Sequence, residues 1–281
     1  MQIAVVGSGT MGLGIVSVFA QYSEVSSILW WGRESGAICS RKESLVREIK
    51  KICRKNGFAK SDADTLLSKV EVIHSFDSIG AADFVIEAVA EDMDVKKTLL
   101  SDLSNYVSDN AVVVTNTSSL SITELSMCFR NPERFLGIHF FNPANIMKLV
   151  EVVAGLATSR DAVDRAVEVI EGLGKEAVIV NDSPGFVVNR MLIPMINEGI
   201  SVMAEGVATR EDIDKAMKLG ANHPIGPISL ADFIGTDVCL SIMDTLHKET
   251  GDPKYRAHPL LRKYVRAGRL GRKVKRGFYD Y

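Results

Sequence analysis

The sequence predicts an α/β fold: a mainly parallel sheet with an inserted helical hairpin, followed by an all-α C-terminal domain. Three observations carry this. Short apolar runs of strand length alternate with helical patterns as far as Asp182. A glycine-rich turn follows the first of those runs directly. Beyond Asp182-Ser183-Pro184-Gly185 the strand pattern stops and only helical spacing remains.

Ile3–Val6 is a short β-branched run, followed at once by glycines and then by Ile15–Gln21 with helical spacing, as in a buried parallel strand that turns into a helix. Further strand-like runs stand at Ile28–Trp31, Val70–Ile73, Phe84–Val89, Val112–Thr115, Phe135–Phe140, Leu149–Val153 and Ala177–Val180. Helical patterns such as Val95–Tyr106 and Ala162–Leu173 separate most of them. Ser40 to Ser68 interrupts this alternation and reads as two charged helices joined at Asn56–Gly57. The basic cluster Lys50, Lys51, Arg54 and Lys55 suits a phosphorylated substrate, or equally a solvated helix face.

The domain boundary is expected near Ser183, giving domains 1–182 and 183–281. Helices are expected at Phe186–Glu205, at Arg210–Leu219 with Thr209 as N-cap, at Asp232–Glu249 and at Pro259–Ala267. Asn189–Ala204 is apolar on more than one face, which a homodimer core would explain.

With 281 residues, 46% hydrophobic and 24% charged, the chain suits two globular domains rather than a disordered or fibrous protein. A formal net charge of -2 gives no reason to expect a nucleic-acid or membrane partner. The four cysteines, Cys39, Cys53, Cys128 and Cys239, lack zinc or dithiol spacing, so reduced thiols and no metal are expected. The apolar N-terminal stretch has no basic flank and is broken by glycines, and no apolar run reaches about 18 residues. A soluble, cytoplasmic protein is expected.

The turn Gly7-Ser8-Gly9-Thr10-Met11-Gly12 lies between the first strand and the first helix. Its glycines allow a tight turn, close approach of backbone to a pyrophosphate, and close helix–strand packing. The helix N-terminus adds N–H donors and partial positive charge. A dinucleotide site in a Rossmann-type fold follows. Such a site for NAD normally carries Asp or Glu about 20 residues on, where this chain reads Trp30-Trp31-Gly32-Arg33-Glu34. Gly32 leaves room and Arg33 supplies a bidentate partner for a 2′-phosphate, so NADP(H) is the expected preference. The alternative, NAD(H), has Glu34 on the ribose and Arg33 at the surface.

Three further motifs carry polar groups to the ends of predicted elements. Asn116-Thr117-Ser118-Ser119-Leu120 ends the strand Val112–Thr115 at the carboxyl edge, where open sheets bind ligands, although one serine there also suits a helix cap for Ile122–Met127. His139 stands near the end of a second apolar strand, in His139-Phe140-Phe141-Asn142-Pro143. Glu151 is flanked by Val150 and Val152, where an unpartnered carboxylate would be costly. Pairing His139 with Glu151 resolves both anomalies: the carboxylate would fix the imidazole tautomer and favour its protonated form for proton transfer. A purely structural ion pair is the other reading. Asn189, in Asp182–Arg190, suits a hydrogen bond to a substrate oxygen or a polar contact between helices.

Together these segments resemble the 3-hydroxyacyl-CoA dehydrogenase family, most closely its bacterial 3-hydroxybutyryl-CoA dehydrogenases of clostridial type. The resemblance rests on Asn116–Glu124, His139–Pro143, Met147–Val153, Pro184–Arg190, Asp212–Pro227 and Gly277–Tyr281, and it spans essentially the whole chain. It implies oxidoreduction of a short 3-hydroxyacyl-CoA, with His139 as acid/base and Glu151 orienting it. It further implies that Ser118 and Asn189 bind substrate oxygens. Glu91, Lys96, Asn116, Ser118, Asn142 and Lys273 would lie along the cofactor. Arg54 and Lys55 would sit in the CoA-binding region, and the helical domain would form a homodimer. The chain departs from the family pattern at Gly32-Arg33, where an Asp usually ends the strand. Two alternatives share much of this pattern: a β-hydroxyacid or 6-phosphogluconate type dehydrogenase using a lysine, and a non-catalytic dinucleotide-binding relative.

Overall fold

The computed structural model describes residues 1–32, 35–55 and 60–281, and the chain divides into two compact units, Met1–Asp182 and Ser183–Tyr281. Arg33, Glu34 and the expected joint at Asn56–Gly57 lie outside the described residues.

The first unit is built on a sheet of order β3-β2-β1-β4-β5-β6-β7-β8. Its strands are β1 Gln2–Val6, β2 Ser27–Trp31, β3 Val70–Ile73, β4 Phe84–Glu87, β5 Val112–Thr115, β6 Phe135–Phe140, β7 Leu149–Ala154 and β8 Glu176–Asn181. Every residue of β4, β5 and β6 is buried. Strands covered on both faces must be apolar on both faces, which is why they read as continuous Val, Ile and Phe runs. All neighbouring pairs run parallel except β6 and β7, which are antiparallel. β1 lies between β2 and β4, so the chain's winding reverses there; ligands of open sheets bind at that point.

Helices α1 Thr10–Ala20, α2 Ser35–Lys55, α3 Lys60–Ser68, α4 Met93–Leu103, α5 Ile122–Ser126 and α6 Arg160–Gly172 belong to this unit. The hairpin helix α2 buries Ile38, Leu45, Ile49 and Cys53 along one stripe, while Lys50, Lys51, Arg54 and Lys55 fall away from it. That is the amphipathic pattern of a helix laid on a core.

The second unit is helical: α7 Val188–Ala204, α8 Arg210–Gly220, α9 Pro227–Ile234, α10 Thr236–Thr250 and α11 Pro259–Arg266. Ile193, Ile196, Ile200, Ile213, Ile228, Met243, Leu246, Leu261 and Phe278 form its core. Thr209 caps α8, its hydroxyl accepting from the Asp212 N–H at 3.2 Å.

Three of the differences from the sequence expectations have a clear local cause. The helix expected over Asp232–Glu249 is two helices, parted at Gly235 with φ +109°, a backbone conformation that favours glycine. The helix expected from Phe186 begins at Val188, because Gly185 and Phe186 both take positive φ, and Asn189 is therefore its second residue rather than a turn inside. Strand β4 stops at Glu87, two residues early, because the Val89 N–H turns back onto the Glu87 carboxylate at 2.6 Å. Among the described residues no helix is long and apolar enough to cross a membrane.

Candidate active site

The glycine turn is built by register. Val6 of β1 pairs with Trp31 of β2, and the next residue, Gly7, donates its N–H to the Trp31 carbonyl at 2.9 Å. The buried Trp30 indole Nε1 donates to the Gly7 carbonyl at 2.9 Å, so the turn is pinned from β2 on both sides. Gly7 has φ +138°, and a Cβ there would run into the Ala88 carbonyl beyond β4. A Cβ on Gly12 would run into the Gly7 carbonyl. Gly9 is the N-cap of α1 and makes no side-chain cap. A Cβ on Gly9 would meet nothing within 4 Å among the described residues beyond its chain neighbours, so the turn's outer side is open to an anionic ligand, to which the N–H groups of Thr10 and Met11 can donate. These residues fit a dinucleotide pyrophosphate.

His139 and Glu151 are partners across the antiparallel pair of β6 and β7. Directly opposed residues on antiparallel strands share a face and lie close together, and here Nδ1 of His139 is 2.8 Å from Oε2 of Glu151. His139 is 6% exposed and Glu151 1%, so the pair is shielded from water. The antiparallel turn of β7 is what brings the carboxylate to the carboxyl end of β6; a parallel neighbour would have carried it to the same height only with a different register. The Phe141 ring packs 4.4 Å from the imidazole, centroid to centroid.

The end of β5 is tied to this strand by Asn116, whose Oδ1 accepts from the Phe140 N–H at 3.0 Å. Ser118 follows, with its N–H and hydroxyl both donating to Oε1 of Glu91, at 2.7 and 3.0 Å. The Thr117 hydroxyl donates to the same oxygen at 2.7 Å. The cap of α5 is Ser121, outside the Asn116–Leu120 turn, so capping does not account for Ser118. Asp182 holds Ser121 and the Thr123 N–H at 2.9 and 2.8 Å, fixing the far side of that turn.

Lys96 is fully buried, its ammonium 2.7 and 2.8 Å from the two oxygens of Glu87 and 3.7 Å from Glu91. In the helical unit, Lys273 bonds both oxygens of Asp237 at 2.6 Å. Both lysines, expected along the cofactor, are thus ion-paired to carboxylates of this chain, Lys96 in the core and Lys273 at the surface. Asn142 is exposed, two residues beyond the end of β6, and Asn189 is half-buried at the start of α7. Arg54 and Lys55 close α2, exposed.

Two positioning groups escaped the sequence reading. Glu87 ends an otherwise apolar strand, the same anomaly that singled out Glu151, and could have been found by it. Lys175 precedes β8 and donates to the Ala144 and Met147 carbonyls at 2.6 and 2.8 Å, holding the loop that comes after Asn142. It carries no comparable sequence signal.

Comparison with known proteins places these features in context. Residues 2–183 match the family model described as 3-hydroxyacyl-CoA dehydrogenase, NAD binding domain, and residues 185–281 match 3-hydroxyacyl-CoA dehydrogenase, C-terminal domain. A 3-hydroxybutyryl-CoA dehydrogenase of Clostridioides difficile is 47% identical over 281 residues, covering 100% of this chain and 99% of its own length. The mitochondrial hydroxyacyl-coenzyme A dehydrogenase of Homo sapiens is 34% identical, over 99% of this chain and 90% of its own. The crystal structure of (S)-3-hydroxybutyryl-CoA dehydrogenase from Ralstonia eutropha superposes with a TM-score of 0.95 at 41% identity, covering 100% of this chain and 98% of that one.

Proposed function

The chain belongs to the 3-hydroxyacyl-CoA dehydrogenase family, and we propose that it interconverts (S)-3-hydroxybutyryl-CoA and acetoacetyl-CoA, with NADP(H) as the preferred dinucleotide and NAD(H) as the alternative. The names of its relatives support the substrate. The observation that carries the chemistry is the buried 2.8 Å contact between His139 and Glu151.

Gly7, Gly9, Thr10, Met11 and Gly12 would hold the dinucleotide, which would supply the hydride acceptor or donor. The proton is handled by this chain. With Nδ1 engaged by Glu151, proton exchange runs through Nε2 of His139. During oxidation the 3-hydroxyl O–H bond breaks toward Nε2 while the C3–H bond gives up its hydride, leaving the 3-keto product. The Glu151 carboxylate compensates the imidazolium charge and holds the ring in one orientation. During reduction the imidazolium returns the same proton to the developing alkoxide. Ser118 and Asn189 bind the substrate oxygens, with Glu91 orienting Ser118. Asn116 and Asn142 line the cofactor side, and Arg54 and Lys55 take CoA phosphates.

Residues 1–182 serve as the dinucleotide-binding domain and 183–281 as the substrate and dimerisation domain of a homodimer. Met191, Val207, Leu219 and Phe233 of the helical unit are exposed apolar side chains that a dimer interface would cover. The NADP(H) preference rests on Gly32, where no carboxylate ends β2, and on Arg33 as the partner of a 2′-phosphate. Initial rates with acetoacetyl-CoA and each reduced dinucleotide in parallel test the proposal. Turnover with NADPH exceeding that with NADH supports it in full. A large NADH advantage removes the cofactor preference, and no turnover with either removes the activity.

A further inference from the structure

Gly32 is the first residue after β2, and its backbone φ lies outside the left-handed region, so conformational freedom does not explain a glycine there. Space does. A Cβ at position 32 would stand 2.8 Å from Oγ and 2.9 Å from Cβ of Ser8, and 3.1 Å from Cδ1 of Ile38. The hydroxyl of Ser8 can swing away, and Cδ1 of Ile38 is the tip of a side chain. Cβ of Ser8 is fixed to the backbone of the glycine turn and moves only with it. The bonds from Trp30 Nε1 to the Gly7 carbonyl and from the Gly7 N–H to the Trp31 carbonyl hold that backbone in place. A side chain at 32 therefore presses on the turn that receives the phosphates.

In dinucleotide folds the carboxylate that selects an unphosphorylated ribose grows from the end of this second strand. Here Ser8 fills the root of that position with a neutral hydroxyl, a donor suited to a phosphate oxygen and without the charge that would repel it. We propose that Ser8 is a specificity-determining residue, and that dinucleotide choice is set by the Ser8–Gly32 pair rather than by the residues after β2 alone. The inference rests on the proposed NADP(H) preference.

The test is a double-mutant cycle read on two quantities: thermal unfolding of the ligand-free protein and dinucleotide Kd by fluorescence titration. Gly32→Ala should lower the Tm and weaken both dinucleotides by about tenfold, as overpacking does. In the background of Ser8→Gly, which removes the obstructing Cβ, the same Gly32→Ala change should cost little in either quantity. Likewise Gly32→Asp alone should not improve NADH binding, whereas Ser8→Gly with Gly32→Asp should favour NADH over NADPH by about tenfold or more. Additive Tm effects in the ligand-free cycle would overturn the steric pairing, as would a Gly32→Asp variant that turns to NADH unaided. Preference of the unmodified protein for NADH would instead overturn the cofactor reading, and the ligand-free cycle would still decide the pairing by itself.

Discussion

His139 and Glu151 face each other across the antiparallel pair of the sheet, with Nδ1 and Oε2 2.8 Å apart and both side chains buried. Glu151→Gln keeps the size and removes the charge that compensates the imidazolium. It should lower kcat by about 10²–10⁴-fold, the usual effect of disabling a positioned acid/base. Glu151→Asp, charged but one methylene short, should fall between that variant and the unmodified protein. Steady-state kinetics at saturating dinucleotide reads both; equal turnover in all three would detach Glu151 from proton transfer.

Glu87 and Lys96 form a fully buried ion pair, supported by the Thr115 hydroxyl at 2.6 Å from the carboxylate. Glu87→Gln leaves the ammonium with an amide in place of its closest counter-charge and should cost about 3–5 kcal/mol of folding stability. Glu87→Gln with Lys96→Met should recover much of that loss. Urea denaturation of the three proteins checks it, and a Glu87→Gln loss below about 1 kcal/mol contradicts it.

Burial lowers the pKa of the Lys175 ammonium from its ordinary 10.5. Between the lowered folded-state pKa and 10.5 the unfolded chain binds the proton more tightly than the folded one, so stability rises with pH through that window. Below the window the cost of the buried charge is present in full; above it both states are deprotonated and the cost is gone. Lys175→Met should therefore flatten the rise in stability expected as the pH climbs toward 10.5. Parallel stability profiles for the two proteins would contradict this.

Much of the fold is legible because parallel strands buried on both faces must be continuous apolar runs, so Val112–Thr115 and Phe135–Phe140 have the same limits in sequence and structure. The His139–Glu151 pairing is legible for the complementary reason, since a carboxylate between two valines of a strand demands a partner. Glu87 obeys the same logic and went unread because its strand was drawn two residues too long. The split at Gly235 depends on backbone conformation, which composition does not encode. Lys175 holds carbonyls of a loop distant in sequence, and Ser8 meets Gly32 only through the β1–β2 register; both contacts are tertiary.

The imidazole and carboxylate are expected to act as one proton-transfer unit, and a kinetic double-mutant cycle on kcat tests this most directly. His139→Gln should lose about 10²–10⁴-fold in kcat, with dinucleotide Kd essentially unchanged, and adding Glu151→Gln should cost little more, as for residues that work as a unit. Turnover of His139→Gln close to that of the unmodified protein would contradict the account.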